Sequence, residues 1–481
     1  MTTKKSRTKT RKSESDLAGS GIQFGRRTFI KGAVAVPLVA ACGSDTESAS
    51  TSDGGATPDA QAGHDVTAAD TALDSSVPAY DPSDVVEDTT AFPLPVQSGA
   101  MTQNSAIVWG FSATEAPVHL RVWPNGSPEP GAAEEMTPVD GYLKVNADAL
   151  QAATHYNFAF FIGPQDAPTG RSVIGSFRTT AAAGDLPTVT LAATTCTKDW
   201  NAPYQALSVI SKTPVDALCH LGDMSYNDMA STREEYRAAW QETLRDPGYR
   251  DVLPSTGMYM TWDDHEIANN DWSTLPAAHR EAGIEAFFET LPVPRGEGNR
   301  LWGSYRLGDT VEVFVLDCRS ERVAEPAEPG GKRLYMSVAQ MDWLKGALTD
   351  SPCRYKAIMS SVPITAMESD WPTADTWNGY PNQRNELLDH ITSGISGVIF
   401  LAGDYHFGGV SRVEADGPRA SINEVLVGPG ASSPNPLIGS VEIAPALAET
   451  FVPAKQWDHY ATRHAATFLT FDPAKDEVAV R

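Results

Sequence analysis

The sequence has few cysteines and comparatively little positive charge, and each shortage excludes something. Five cysteines occur in 481 residues, and because they are scattered and form no Cys-x-x-Cys pair, a disulfide scaffold is not expected. Lysine and arginine number 37 against 61 aspartates and glutamates, for a formal charge of −24. So acidic a chain has no general attraction for nucleic acid or anionic lipid, and no nucleic-acid-binding domain is predicted. An anionic substrate must be captured locally, by a metal or by a few arginines.

The N-terminal region contains an apolar run that is too short to span a bilayer. This run, residues 32–41, follows Arg26-Arg27 and precedes Cys42. The paired arginines and the weakly apolar run resemble a twin-arginine export signal, and the five residues that end at Cys42 resemble a lipobox, in which the cysteine is acylated. Residues 1–41 are therefore predicted to be a twin-arginine lipoprotein signal, read by the twin-arginine export machinery. We expect a periplasmic or cell-surface protein that is anchored in the membrane through lipidated Cys42.

The next part of the chain contains two regions of different composition. Residues 42–91 are mostly Ser, Thr, Ala, Asp and Gly, which cannot bury enough apolar surface to fold, so a disordered linker is predicted. Between residues 92 and 182, short β-branched or aromatic segments alternate with turn residues such as Pro124-Asn-Gly126. This pattern predicts a small antiparallel β-sandwich. Because no cluster of reactive side chains falls in it, we expect a structural role.

From residue 187 to residue 481, apolar strands alternate with helical segments. The strand-like Val189–Ala193 precedes an amphipathic segment, Tyr204–Ile210. A second helix is expected from Thr232 to Leu244, with Thr232 as its cap and acidic residues in its first turn. The alternation predicts a layered α/β domain with polar site residues at the ends of the strands.

Four consecutive ionisable residues follow one of these strands. Asp263, Asp264, His265 and Glu266 come after the apolar segment Gly257–Met260. Burial of four such groups costs a large free energy unless something compensates for their lost hydration. A divalent or trivalent metal compensates well, and a metal beside an imidazole at a strand end indicates hydrolysis.

Other predicted strands also end on residues that bind metal or phosphate. Strands of one layered sheet bring such ends together. The residues are, in chain order, Cys196, Asp223, Tyr226, Asp264, Arg319, Ser360, Ser361, Asp404 and His406. Taken singly, Asp223 in a Gly-Asp turn is more often structural, and Cys196 is more often a buried thiol. The joint pattern and its order carry the prediction.

The candidate ligands are of two chemical kinds. Three are carboxylates, which are hard oxygen donors, and three offer a thiolate, a phenolate and an imidazole. They are Asp223, Asp264 and Asp404 in the first group, and Cys196, Tyr226 and His406 in the second. A carboxylate that bridges two ions, with softer ligands on one side only, implies unlike metals such as iron beside calcium. Two ions roughly 3.5–4 Å apart can clamp a phosphate and activate a bridging hydroxide.

The ordered motifs resemble the alkaline phosphatase D (PhoD-like) family of calcineurin-like metallophosphoesterases, from about residue 92 to the C-terminus. The matching stretches are Cys196, His220-Leu-Gly-Asp-Met-Ser-Tyr226, Trp262-Asp-Asp-His-Glu266, Asn269-Asn270, Leu316-Asp-Cys-Arg319, Gln340-Met-Asp-Trp-Leu344, Asp375-Thr-Trp-Asn-Gly-Tyr380, Arg384 and Leu401-Ala-Gly-Asp-Tyr-His406. The resemblance implies an α/β fold, a four-layer metallophosphoesterase sandwich, preceded by a small all-β immunoglobulin- or fibronectin-like domain.

The resemblance also implies a role for each matching side chain. The implied ligands are Cys196, Asp223, Tyr226 and His406 for iron(III), and Asp223, Asp264 and Asp404 for calcium, with Asp223 bridging. His265 would protonate the leaving-group oxygen or steady the transition state. Arg319 or Arg384 would clamp the phosphate, because a guanidinium fork fits two phosphate oxygens. Asp263 and Glu266 are then expected to support the site without binding metal.

One segment departs from the family pattern. Many relatives have a Gly-Asn-Gln type segment at the end of the fifth strand, where this chain has Ser360-Ser-Val-Pro363. One hard ligand would therefore be lost, or replaced by a hydroxyl or a water, which bears on the number of calcium ions.

We therefore predict an exported, lipid-tethered and monomeric phosphoesterase. It would hydrolyse phosphomonoesters or phosphodiesters by attack of a metal-bound hydroxide, with His265 assisting. One alternative is a phosphodiesterase or phospholipase D-like enzyme that acts on lipid or wall polymer. A second alternative, from a different functional class, is a surface binding protein that kept the fold and lost turnover.

Overall fold

The structure, a computed structural model, describes most of the chain after the predicted linker. The described residues are 22–25, 78–198, 202–270, 272–324, 332–367, 375–443 and 447–481. The predicted arginine pair, the apolar run and the acylated Cys42 lie outside them. Among the described residues, no helix is both long enough and apolar enough to cross a membrane.

Three sheets form the framework of the described chain. The first sheet contains, in spatial order, β1 (Ile22–Gly25), β21 (Glu477–Val480), β20 (Thr467–Asp472), β10 (Val189–Thr194), β11 (Ala217–His220), β12 (Met258–Met260), β2 (Gln97–Gly99), β3 (Ala106–Phe111) and β6 (Tyr142–Ala147). The second contains β13 (Gly303–Leu307), β14 (Val311–Val315), β15 (Tyr355–Ser360), β16 (Val398–Ala402), β18 (Asn423–Leu426), β17 (Gly408–Arg412) and β19 (Trp457–Ala461). The third contains β5 (Ala133–Met136), β4 (Val118–Pro124), β7 (His155–Ile162) and β8 (Gly170–Arg171), with β9 (Gly175–Arg178) paired to β7.

Helices cover the outer faces of the two larger sheets. Those on the first sheet are α1 (Gln205–Ser211), α2 (Arg233–Leu244), α3 (Pro247–Val252) and α4 (Ala277–Thr290). Those on the second are α5 (Val338–Asp350), α6 (Pro381–Thr392), α7 (Pro436–Ile443) and α8 (Ala448–Phe451). Helix α2 begins as its sequence predicts, because Thr232 and Glu235 form a reciprocal capping box.

Alternation of side chains along the strands produces the layers. In β10, Leu191 and Ala193 point into the core shared by the two sheets, whereas Ala192 packs with the helices. In β14, Val313 points into the shared core and Phe314 points outward. A strand that is buried on both faces must be apolar on both, which explains its nearly continuous hydrophobic sequence. The resulting order of helix, sheet, sheet and helix confirms the predicted four-layer α/β sandwich.

The small β domain is present, but it is not separate from the first sheet. Strands β2, β3 and β6 form one half of a sandwich, and the third sheet forms the other half. Strand β2 also pairs in parallel with β12, where Gly99 lies opposite Met258. The first sheet therefore runs without a break from the α/β domain into the β domain. This pairing could not be predicted from the sequence, because it joins segments about 160 residues apart.

The last part of the predicted linker packs against the β-sandwich. Tyr80 lies edge-on against Trp123, with ring centroids 5.2 Å apart. The amide of Asp88 donates to the carbonyl of Arg171 at 2.8 Å, and Glu87 forms an ion pair with the Arg171 side chain. The prediction of disorder as far as residue 91 is therefore wrong for residues 78–91, where one aromatic side chain and local backbone contacts hold the segment.

The junction between the two domains leads to a stability prediction. A Cβ atom on Gly99 would lie 2.4 Å from the carbonyl oxygen of Pro292 and 3.0 Å from that of Met258. We expect Gly99→Ala to destabilise the protein by about 1–3 kcal/mol, the usual cost of overpacking. Gly303→Ala is the control, because a Cβ there meets no atom within 4 Å. The measurement is the urea unfolding midpoint by tryptophan fluorescence, and equal midpoints for the two variants would contradict the prediction.

Candidate metal centre

Acidic and soft side chains from several strand ends meet at one edge of the two facing sheets. Strands β10, β11 and β12 run parallel in the first sheet, as do β14, β15, β16 and β18 in the second. The candidate ligand atoms fall into three groups, in each of which all atoms lie within 4.8 Å of one another: Cys196, Asp223 and His406; Asp223, Asp264 and His265; and Asp223, Asp263, Asp264 and Asp404. Asp223 belongs to all three groups, which is the position that a bridging carboxylate needs.

The backbone at this edge is held in a costly conformation. Cys196, Asp223, Asp404 and His406 all have φ between 52° and 62°, a region that residues with a Cβ enter rarely. Each such residue costs on the order of 1–3 kcal/mol and persists where surrounding contacts determine it, most often at functional sites. Because four candidate ligands have this conformation at a cost in stability, their turns are candidates for a functional role.

The soft side of the centre is built around one oxygen of Asp223. The Cys196 Sγ lies 3.4 Å from Asp223 Oδ2, and the Tyr226 hydroxyl lies 3.3 Å from the same oxygen. His406 directs its Nδ1 at the carbonyl of Ser433, at 2.9 Å. A carbonyl can only accept, so Nδ1 carries the proton, and Nε2 is left with the lone pair that a metal requires.

The hard side contains more carboxylate than hydrogen bonds can satisfy. Asp264 Oδ1 and Asp263 Oδ2 are buried without a hydrogen-bond partner among the described residues. The other oxygen of Asp263 accepts from the Arg319 Nε at 2.5 Å and from the Ser361 hydroxyl at 2.8 Å. Asp263 is therefore a member of the cluster with one free oxygen, and the Ser361 hydroxyl reaches the cluster through it.

The electrostatics of the cluster indicate that it needs cations. Burial raises the pKa of Asp223 and of Asp404 well above the ordinary value, and nearby carboxylates raise both further. Burial, and then the charge of Asp223, likewise raise the pKa of the Cys196 thiol and of the Tyr226 phenol. Without cations the charged forms of these groups are therefore disfavoured, and metal ions would stabilise them by taking the place of protons. The donor set fits two kinds of ion, one taking soft ligands and one taking oxygen.

Arg319 lies inside the cluster as a permanent cation. Its Nε bonds Asp263, and its Nη1 bonds Asp375 and, at 3.0 Å, the carbonyl of Asn270. Its Nη2 lies 3.6 Å from Asp264 Oδ1 and 3.9 Å from Asp404 Oδ1, and has no hydrogen-bond partner in the described structure. One edge of the guanidinium is thus fixed by protein, and Nη2 remains for a ligand.

Arg384, the other predicted phosphate clamp, is not brought to the centre. Its Nε and Nη2 donate to the carbonyls of Ile364 and Val413, at 2.9 and 3.4 Å, and its Nη1 pairs with Glu414 at 3.0 Å. None of these partners belongs to the cluster. Arg384 lies on α6, which packs on the outer face of the second sheet, so its role is to join α6 to two neighbouring segments.

His265 is held by a carboxylate that the sequence reasoning missed. Its Nδ1 lies 2.7 Å from Asp228 Oδ1, and its ring lies 4.0 Å from that of Tyr226. Burial lowers the pKa of His265, but Asp223 and Asp228 outweigh burial and raise it to about 10. Because Asp228 occupies Nδ1, proton exchange with a substrate falls to Nε2. The signal in the sequence was slight, a second acid two residues after Tyr226.

Glu266 holds the two turns that carry the carboxylates. Its oxygens accept backbone N–H groups from Asp223 at 3.1 Å, from Met224 at 2.7 Å and from Asp263 at 2.8 Å. One side chain thereby fixes the turn after β11 and the turn after β12 relative to each other. These contacts agree with the prediction that Glu266 supports the site.

Two further features near the centre were given no role from the sequence, although Asp375 stands in one of the matching stretches. Asp375 bridges Arg319 and Arg322. Ser432 contacts Tyr226 from a loop that follows β18. The signal for that loop was Gly428-Pro-Gly430, a turn at the end of a further parallel strand.

Comparison with known proteins shows the family of the chain. Residues 191–480, more than half of the chain, match the family profile described as PhoD-like phosphatase. The chain belongs to this family. Alkaline phosphatase D of Bacillus subtilis (strain 168) is 24% identical over 328 residues, which span 58% of this chain and 55% of that relative. The match to this PhoD-like relative thus covers little more than half of its length.

Solved structures show the same fold. A structure of PhoD superposes with a TM-score of 0.70 at 21% identity, over 80% of this chain and 85% of that chain. Purple acid phosphatase PPD1 from yellow lupin (Lupinus luteus) seeds gives a TM-score of 0.56 at 14% identity, over 79% of this chain and 71% of that chain. The predicted metallophosphoesterase fold of this PhoD-like protein is therefore confirmed.

The turn at Gly222 tests whether backbone shape controls metal binding. Gly222 has φ +98°, and a Cβ there would lie 2.5 Å from the amide nitrogen of Asp263. Gly222→Ala should displace two carboxylate-bearing turns and weaken metal binding by about 10–100-fold, as loss of ligand support usually does. Gly184→Ala is matched to it, with φ +96° and no atom within 4 Å. Metal content of both purified variants is measured by mass spectrometry, and equal retention would contradict the prediction.

Proposed function

We propose that the chain is a metal-dependent phosphoric ester hydrolase that acts on phosphomonoesters, phosphodiesters or both. The observation that carries the proposal is the buried cluster in which Asp223 is shared by a soft and a hard set of ligands, beside a fixed arginine and a fixed histidine. Membership of the PhoD-like phosphatase family supports the same activity. A phosphate ester is an anion, and this acidic protein offers it positive charge at this place through Arg319 and the metals.

The residues divide between two metal positions. We propose that iron(III) is held by Cys196, Asp223, Tyr226 and His406, and that calcium is held by Asp223, Asp264 and Asp404. Asp263 adds one free oxygen on the calcium side. When bound, such ions would polarise a phosphoryl group and lower the pKa of a water toward neutrality. The different chemistry of the two donor sets supports unlike ions.

The side chains around the metals bind and orient the ester. The Nη2 of Arg319 faces the hard side of the cluster and would bind a non-bridging phosphate oxygen, a charge-assisted contact. The Nε2 of His265 would donate a proton to the leaving-group oxygen, with Asp228 holding the ring in place. The proposed general acid is therefore held at two points. Asp228 holds its ring, and its backbone amide donates to Asp223 Oδ1 at 3.3 Å.

Export and anchoring remain proposals from the sequence. The twin-arginine pair, the short apolar run and Cys42 support a lipoprotein that is exported as a folded chain and held at a membrane surface. Export in the folded state suits an enzyme that acquires its metals beforehand. We also propose that the protein acts as a monomer.

Removal of the shared carboxylate tests the proposed function. Asp223→Asn should abolish both metal retention and hydrolysis of nitrophenyl phosphate and bis(nitrophenyl) phosphate, because both donor sets lose their common member. Asp166→Asn, an exposed aspartate in the β domain, is the control and should change neither. The two substrates, each tested with and without calcium, also distinguish a monoesterase from a diesterase. Retained hydrolysis in Asp223→Asn would refute the mechanism, and a metal-loaded wild type without turnover would favour the binding-protein alternative.

The pairing of Asp228 with His265 makes a second, separate prediction. Asp228→Asn keeps an oxygen acceptor for Nδ1 but removes the charge, so we expect kcat to fall by about 10–100-fold, part of what general acid catalysis supplies. The loss should be larger for an alkyl phosphate than for nitrophenyl phosphate, because only a poor leaving group needs the proton. Metal content should not change. Equal losses for both substrates would show that His265 is not the acid.

A further inference from the structure

The loop formed by residues 430–433 is attached to the soft side of the centre. The amide of Gly430 donates to the carbonyl of Thr195 at 2.7 Å, and the amides of Ala431 and Ser432 donate to the carbonyl of Cys196 at 3.2 and 2.9 Å. The loop is therefore hydrogen-bonded along the turn that carries a candidate thiolate ligand. Because the loop follows β18 and the turn follows β10, these bonds also join the two sheets.

The Ser432 side chain contacts the candidate phenolate ligand directly. Its hydroxyl oxygen lies 2.7 Å from the Tyr226 hydroxyl, and Ser432 is buried. The same oxygen accepts the backbone amide of Lys198 at 3.2 Å. A serine hydroxyl has one proton and two lone pairs. With the Lys198 amide on one lone pair, the proton remains to be donated to the Tyr226 oxygen once that tyrosine loses its own proton to bind a metal.

The neighbouring residue serves another ligand by different means. Ser433 uses its backbone carbonyl to accept Nδ1–H of His406 at 2.9 Å, and its side chain is exposed. Two adjacent serines thus contact two soft ligands, one through a side chain and one through the main chain. This difference allows the side-chain contribution to be tested alone.

We propose that Ser432 is a positioning residue that donates a hydrogen bond to the phenolate oxygen of Tyr226 and thereby sets the donor strength of the soft metal position. The proposal rests on the proposed function only in that the centre holds iron, not in that it turns over substrate. Hydrogen bonds to charged oxygen are roughly twice as strong as those between neutral groups. Such a bond withdraws electron density from the phenolate, so its removal raises the energy of the phenolate electrons and makes them easier to transfer to iron(III).

The test compares Ser432→Ala with Ser433→Ala in the full chain, each purified with iron bound. Ser432→Ala should move the visible phenolate-to-iron charge-transfer band to longer wavelength, because the phenolate becomes a stronger donor. It should also speed iron loss to a chelator by about 10–100-fold, because the hydroxyl no longer holds the Tyr226 oxygen in place. Ser433→Ala should leave both unchanged, because its carbonyl remains. Unfolding midpoints confirm that the two variants are equally folded, and Tyr226→Phe, which removes the phenolate, identifies the band.

The outcomes separate this proposal from the proposed function. A wild-type band that Ser432→Ala leaves at the same wavelength, with the same rate of iron loss, overturns the role of Ser432 and leaves the enzyme assignment untouched. An equal shift in Ser433→Ala also overturns it, because the effect would then belong to the loop and not to the hydroxyl. An iron-containing wild type that lacks the band overturns both the Tyr226 assignment and the proposal.

Discussion

Crowded negative charge at the edge of the two sheets is the constraint on which the rest of this structure depends. Two unit charges about 4 Å apart repel by about 4 kcal/mol at the effective dielectric of a protein surface, and the carboxylate groups here lie within 4.8 Å of one another. Arg319 supplies one compensating charge from within the chain. The rest of the compensating charge must come from bound protons or metal ions. Protonation and metal binding at this edge are therefore coupled.

The backbone around this charge is held by contacts that do not themselves bind metal. Glu266 receives three backbone amides from two turns, which fixes the distance between Asp223 and Asp263. Those amides compensate its charge only in part, since burial still raises its pKa to about 7. The protein therefore uses one more buried carboxylate to organise the others. The left-handed conformations of the ligand-bearing residues can persist because such contacts determine them.

The sequence allowed the site residues to be predicted where they directly follow a strand. Asp223, Asp264 and Asp404 each follow a buried parallel strand, and the carboxyl ends of such strands meet whatever the intervening chain does. It was uninformative about Arg384, because a helix can present an arginine to the cleft or to a neighbouring segment with the same spacing. Ser432 likewise depends on where a loop comes back to the turn at Cys196, a tertiary fact that no periodicity encodes.

The β domain is connected to the candidate metal centre through its contacts with β12. Strand β2 extends the first sheet beside β12, and the Tyr259 hydroxyl within β12 donates to the carbonyl of Met101 at 3.0 Å. Strand β12 has only three residues, and the turn that follows it carries Asp263, Asp264 and Glu266. So short a strand in the interior of a sheet is held mainly by its neighbours on both sides. The β domain therefore supports the candidate metal centre by pairing with the strand that precedes Asp263, Asp264 and Glu266.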